Sequence, residues 1–203
     1  MDVSQERSPT PFPRTLGVLI SGRGSNLKAI IDAIADGRLD ARIAVVISNV
    51  ADAPGLAHAR AAGIETVILS HRGCSSREDY DRTLVRQLNE RGVELVCLAG
   101  FMRLLSPVFI EAFADRILNI HPSLLPKYRG LHPQQQAIDD AAAVSGATVH
   151  VVNKELDAGP VILQESVPVL AGDTAETLAE RILAVEHRLY PAAIKRVLDG
   201  PEK

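Results

Sequence analysis

Residues 16–26 read Leu-Gly-Val-Leu-Ile-Ser-Gly-Arg-Gly-Ser-Asn, and this stretch decides the fold. Leu16–Ile20 is a short apolar run of the kind that forms a strand buried on both faces. Gly22 and Gly24 relax the backbone for a turn. Leu27, Ile30, Ile31 and Ile34 then recur at helical spacing, and Gly37 suits the position after a helix. A strand that turns directly into a helix is the opening unit of a β/α layered protein.

The same alternation continues outward. Strands are predicted at Arg42–Ile47, Ile64–Leu69, Leu95–Ala99 and Arg116–Ile120. Between them, Pro54 opens a short helix that Gly63 ends, and Ser76 caps a helix running to about Arg91 with Tyr80, Leu84, Val85 and Leu88 facing inward. Ser106-Pro107 starts another short helix. After residue 130 the pattern changes. A helix is predicted over Pro133–Ala143, then an antiparallel pair at Ala147–Val152 and Val161–Val169. Asp173 and Glu176 read as a capping-box-like start to a last helix, which Pro191 should kink or split. The fold class is therefore α/β: an open, Rossmann-like, mainly parallel sheet with helices on both faces and mixed strands in the C-terminal part. Residues 1–14, with Pro9, Pro11 and Pro13 alternating, are expected to be a flexible tail, and 15–203 a single domain.

Composition agrees. The 203 residues are rich in aliphatic side chains, lack Trp and carry a net charge of -3, so no basic footprint for nucleic acid is present. No segment is long and apolar enough to span a membrane, and the N-terminus lacks the apolar stretch of a secretory signal. Cys74 and Cys97 are too few and too far apart for a disulfide framework; Cys97 reads as a buried free thiol, and a cytoplasmic setting is expected.

In open α/β sheets, ligands bind beyond the carboxyl ends of the strands. Three loops fall there. Ser21–Asn26 offers backbone donors at a helix start, with Gly24, Ser25 and Asn26 able to hold an anion, though the same residues also describe a tight capped turn. No Gly-Lys-Ser/Thr follows, Leu27 stands where a dinucleotide fingerprint has Gly or Ala, and Ser48-Asn49 offers no acid for a ribose; a monophosphate fits better than NAD. Ala99–Leu105 is an apolar loop that suits a flat ring or ordinary packing. The third loop follows Asn119-Ile-His121-Pro-Ser-Leu-Leu-Pro126. On a strand, Asn119 and His121 point to one face. Asp157, in Leu-Asp-Ala-Gly-Pro, is the best carboxylate to orient the imidazole, with His132 and His150 as competing partners. Asn, His and Asp together can polarise a carbonyl, hold an oxyanion and move protons. The histidines are not at metal-ligand spacing, so no metal is expected. Arg77 and Glu186-His187 lie on predicted helices, where a solvated charge is the default.

Taken in order, Ser-Gly-Arg-Gly-Ser-Asn, Ala-Gly-Phe-Met-Arg-Leu-Leu, Asn-Ile-His-Pro-Ser-Leu-Leu-Pro, Gly-Leu-His and Leu-Asp-Ala-Gly-Pro-Val-Ile-Leu-Gln resemble the phosphoribosylglycinamide formyltransferases, from about Leu16 to Leu198. The resemblance implies transfer of a formyl group from 10-formyltetrahydrofolate to the amine of glycinamide ribonucleotide in purine synthesis. It assigns catalysis to Asn119, His121 and Asp157, and the ribonucleotide to Gly24, Ser25, Asn26 and Glu186. It assigns the folate to Arg77, Met102, Arg103, Leu104, Leu105, Asn119 and Asn153, Lys154, Glu155, Leu156 and Asp157. Residues 15–120 become the phosphate-binding half and 121–203 the folate and catalytic half. Partners are then small molecules, with no nucleic acid or membrane, and the chain a monomer or homodimer. The sequence departs from the family at Arg129 and Pro133–Gln136. Methionyl-tRNA formyltransferase would be expected to carry an extra C-terminal RNA-binding domain and formyltetrahydrofolate hydrolase an extra N-terminal domain; neither is expected here. A non-catalytic ribonucleotide-binding module is the rival from another class.

Overall fold

Seven strands form one sheet in the order β3-β2-β1-β4-β5-β6-β7 in this computed structural model, which describes residues 14–200. The strands are β1 (Thr15–Ile20), β2 (Arg42–Ser48), β3 (Thr66–Ile68), β4 (Leu95–Leu98), β5 (Ile117–His121), β6 (Val144–Val151) and β7 (Val161–Pro168). The first five pair in parallel, and β6 and β7 add antiparallel edges. The sheet is thus mixed and mainly parallel, as its sequence pattern predicts. Strand order reverses beside β1, where β2 and β3 run one way and β4 and β5 the other, which places a ligand crevice between the ends of β1 and β4.

Helices cover both faces. Leu16, Val18 and Ile20 pack under α1 (Ser25–Ala35), α2 (Gly55–Ala61) and the long α6 (Ala175–Asp199). Leu19, Val45, Ile47 and Val96 pack under α3 (Arg77–Asn89) and α4 (Pro107–Ala112). The alternation along β1 therefore feeds two cores, which is why that strand is apolar at every position except Gly17 and its first residue Thr15. Cys97 lies in the first core, where burial pushes its thiol up to about 12.

Four expectations need correction. The helix predicted to reach Ala143, α5, spans only Pro133–Asp139, because Ala141 turns left-handed at φ 48°. The start of α6 is capped by Thr174 and Thr177, whose hydroxyls each accept from the other's backbone N–H; Asp173 instead pairs with Arg181 at 2.7 Å. Pro191 does not split α6. A proline inside a helix costs about 3 kcal/mol, but Leu189, Tyr190, Ala193, Ile194 and Leu198 are all buried, each contributing on the order of 1–3 kcal/mol. Arg14, read as tail, is anchored by its N–H to Glu94 Oε2 at 3.0 Å; the remainder of that tail lies outside the described residues.

Candidate functional site

The loops after β1 and β4 are stitched together at the crevice. Ser21 N–H donates to the Gly100 carbonyl at 3.0 Å, and Met102 N–H donates to Ser21 Oγ at 2.8 Å. Gly24 is the N-cap of α1, with φ 71° and no side-chain cap. A Cβ there would lie 2.5 Å from the Gly55 Cα, so the turn requires glycine both for its conformation and for contact with α2. The uncapped start of α1 keeps its positive dipole end and first-turn N–H groups at the crevice.

Asn26 and Glu186 meet behind this turn. Asn26 Nδ2 donates to Glu186 Oε2 at 2.7 Å, and Asn26 Oδ1 is buried without a partner. Glu186 is only 7 % exposed, which overturns the solvated reading of that position. Burial pushes its carboxyl above the usual range, against the lowering effects of Asn26 and Arg23. Its neighbour His187 is held below the usual imidazole range by burial and then by Lys28. One hydrogen of the Asn26 amide is thus used by Glu186; the other, with Ser25 and the backbone N–H groups, remains as a donor of the turn.

The second group of residues converges at the end of β5. Asn119 and His121 share a face of that strand, as their spacing predicts. His121, 6 % exposed, places Nε2 2.8 Å from the Tyr128 carbonyl and Nδ1 3.5 Å from Asp157 Oδ2. A carbonyl only accepts, so Nε2 carries hydrogen and Nδ1 is the nitrogen turned to the carboxylate. Asp157 arrives on the loop between β6 and β7 in a left-handed conformation (φ 47°), held by the Gly130 N–H on its Oδ2 at 2.9 Å. Burial works to raise the Asp157 pKa, but the His150 contact, the Gly130 N–H and the two imidazoles prevail and hold it below the usual carboxylate range.

His150 completes the cluster; the sequence offers it only as a competing partner, beside His132. It lies across from Asn119 in the antiparallel register of β5 and β6. Its Nδ1 is 3.1 Å from the Val151 carbonyl, and its Nε2 is 3.2 Å from Asn119 Nδ2 and 3.6 Å from Asp157 Oδ1. With Nδ1 donating to the carbonyl, neutral Nε2 accepts one hydrogen of the Asn119 amide and leaves the other for a ligand. The signal in the sequence is the alternation that sets Thr148 and His150 on one face of β6.

The remaining candidates are arranged around these two groups. Met102, Leu104 and Leu156 are exposed apolar side chains on the flanking loops, and Leu105 packs on the second core. The Arg103 guanidinium stacks 4.8 Å from the centre of the Tyr80 ring, with Nε buried and unpartnered. Asn153 Oδ1 accepts the Glu155 N–H at 2.9 Å and shapes the Asp157 loop, while Lys154 pairs with Glu111 at 2.8 Å. Arg77 opens α3 as an exposed side chain with no described bond to the Asn119–His121–Asp157 cluster. Among the described residues, no group of His, Cys, Asp or Glu is disposed to hold a metal ion.

Comparison with known proteins agrees with this fold. The family described as Formyl transferase matches residues 15–194. The chain is 50% identical to the phosphoribosylglycinamide formyltransferase of Escherichia coli (strain K12) over 183 residues, 90% of this chain and 86% of the relative. It is 45% identical to the trifunctional purine biosynthetic protein adenosine-3 of Homo sapiens, over 91% of this chain but only 18% of that longer protein. The crystal structure of glycinamide ribonucleotide transformylase 1 from Symbiobacterium toebii superposes with a TM-score of 0.93 at 49% identity, covering 97% of this chain and 93% of that one. The resemblance read from the sequence motifs is borne out, and the chain belongs to the formyl transferase family.

Proposed function

We propose that this chain transfers the formyl group of 10-formyltetrahydrofolate to the amine of glycinamide ribonucleotide, a step of purine synthesis. The observation that carries the proposal is the meeting of Asn119, His121 and Asp157 at one point beside the β1–β4 crevice. The names of the relatives supply the acceptor and the formyl group, and the folate donor rests on the resemblance of the motifs. The reaction takes place in the cytoplasm between small molecules, without nucleic acid or membrane, in a monomer or homodimer. Among the described residues, no helix is long and apolar enough to cross a membrane.

The donor and acceptor pattern fits both substrates. Residues 15–120 supply the phosphate site at Gly24, Ser25 and the start of α1, with Asn26 and Glu186 beneath it. Glu186, buried and bonded to the Asn26 amide, suits hydroxyl groups of a ribose better than it suits water. Asn119, at the end of the first half, joins His121 and Asp157 of residues 121–203 as the catalytic groups. Arg77, Arg103, Met102, Leu104, Leu105 and the 153–157 loop form the folate side, with exposed apolar surface for a ring and buried polar atoms at its edge.

The folate supplies the formyl carbon. The neutral amine attacks that carbon, and a carbon–nitrogen bond forms as negative charge gathers on the formyl oxygen. The free hydrogen of the Asn119 amide stabilises that charge, joined by the protonated His121 imidazole at Nδ1. Asp157, ionised by its surroundings, stabilises the imidazolium and positions a water for the amine's proton. The bond from the formyl carbon to the folate nitrogen then breaks, and the proton passes to that nitrogen. No covalent bond to the chain is needed, and Ser123 is a structural residue whose hydroxyl donates to the Lys127 carbonyl at 2.7 Å. An assay for tetrahydrofolate release that depends on the ribonucleotide tests the proposal; binding of ribonucleotide without release would instead support a non-catalytic module.

A further inference from the structure

Gln164 lies on the edge strand β7, away from the reacting groups. In the sheet it stands across from Thr148, which stands across from His121. The three residues therefore form one row over β5, β6 and β7, and their polar atoms are linked.

Gln164 Nε2 donates to Thr148 Oγ1 at 2.7 Å and to the Leu125 carbonyl at 3.0 Å. The Thr148 hydroxyl also accepts the Leu125 N–H at 3.1 Å and donates to the Ser123 carbonyl at 2.6 Å. A hydroxyl has one hydrogen and two lone pairs. With Gln164 in place all three are used, and the Thr148 hydrogen has one direction left, toward Ser123. Ser123 Oγ in turn lies 2.7 Å from the Lys127 carbonyl and 3.4 Å from that of Tyr128. The Tyr128 carbonyl is the group that holds His121 Nε2.

We propose that Gln164 is a positioning residue for the transfer reaction, acting through Thr148 and the 123–128 turn to hold the Tyr128 carbonyl where it fixes His121 with Nε2 protonated and Nδ1 toward Asp157. The inference rests on reading this site as the formyl-transfer centre. Without the Gln164 amide, the Thr148 hydroxyl keeps only its bonds to Leu125 and Ser123 and gains a free lone pair, the Leu125 carbonyl loses its side-chain donor, and the turn behind the imidazole loosens. Gln164 is exposed at the sheet edge, but Thr148 and Ser123 are buried, and a satisfied network around buried groups rigidifies its surroundings, whereas a broken one leaves them free to move. The Asn26–Glu186 pair and the α1 turn share no bond with this row, so ribonucleotide binding is unaffected.

The test compares wild type with Gln164→Met, which keeps length without a donor, and Gln164→Glu, which keeps shape but only accepts at neutral pH. Both variants are expected to lower kcat on the order of tenfold or more, with KM for glycinamide ribonucleotide unchanged. Nitrogen-15 imidazole spectra should show neutral His121 as the Nε2–H form in wild type and a mixture of tautomers in the variants. Thr148→Val should give the same spectral change, and it serves if a Gln164 variant does not fold. Variants with wild-type kcat and an unaltered His121 signal would overturn the inference, as would a neutral wild-type imidazole that carries its hydrogen on Nδ1. Lack of formyl transfer by wild type would contradict the parent reading; normal wild-type transfer with unaltered variants contradicts this inference alone.

Discussion

His150 Nε2 lies 3.6 Å from Asp157 Oδ1 and 3.2 Å from Asn119 Nδ2, so one imidazole packs against both the carboxylate and the amide. Its place makes His150 the support of both groups rather than a group that meets substrate. His150→Ala should therefore lower kcat on the order of 10–100-fold while leaving KM for the ribonucleotide near wild type. Steady-state kinetics with each substrate varied in turn checks this; a change in KM alone would place His150 in binding.

Asp157 gives a pH prediction with a defined sign. Its folded pKa is depressed, so the stability it contributes is present above the unfolded value of about 3.9 and is lost as pH falls through the folded value. Asp157→Asn should unfold at a lower temperature than wild type at neutral pH, and the gap should close in acid below about pH 4. The same variant should lose formyl transfer. Thermal melts across pH, with rates measured in parallel, check both halves; a gap that widens in acid would contradict the assignment.

Glu186 carries the opposite sign. Its folded pKa is raised, so its contribution is complete below the unfolded value of about 4.3 and is lost as pH rises through the folded value. Glu186→Gln removes a buried charge and keeps an acceptor for Asn26. It should raise the melting temperature of the unliganded protein more at pH near 8 than at pH near 4, and raise KM for the ribonucleotide. Equal melting shifts at both pH values would argue against a buried ionised carboxylate.

Ala141 gives a test of the backbone. It adopts φ 48° on an exposed turn, a conformation that penalises a Cβ. Ala141→Gly should stabilise the fold by about 0.5–1 kcal/mol, since the relief of strain exceeds the entropy that glycine adds to the unfolded chain. Denaturant unfolding measures it, and a loss of stability would contradict the strain argument.

How much of this was legible in the sequence depends on how far each interaction reaches. The β1–turn–α1 unit is local, and its periodicity shows it. Asn119 and His121 are also local, since a period of two sets them on one face of β5. His150 acquires its role only through the antiparallel register that sets it across from Asn119, and a single strand's pattern does not encode a register. Glu186 reads as solvated because its partner, Asn26, lies at the opposite end of the chain. Pro191 reads as a kink or a split because helix rules are local, whereas the packing that carries α6 through it comes from the sheet and α1. The end of α5 was misplaced because alanine is a good helix former and Ala141 carries no mark of its left-handed turn.

The central claim is that the groups gathered around His121 move a one-carbon unit between two small molecules. The most direct measurement follows tetrahydrofolate release from 10-formyltetrahydrofolate with and without glycinamide ribonucleotide, for wild type, Asn119→Ala and His121→Ala. The account predicts ribonucleotide-dependent release by wild type and a fall of about 10²–10³ in either folded variant. Wild-type protein that releases no tetrahydrofolate, or folded variants that match it, would contradict the account.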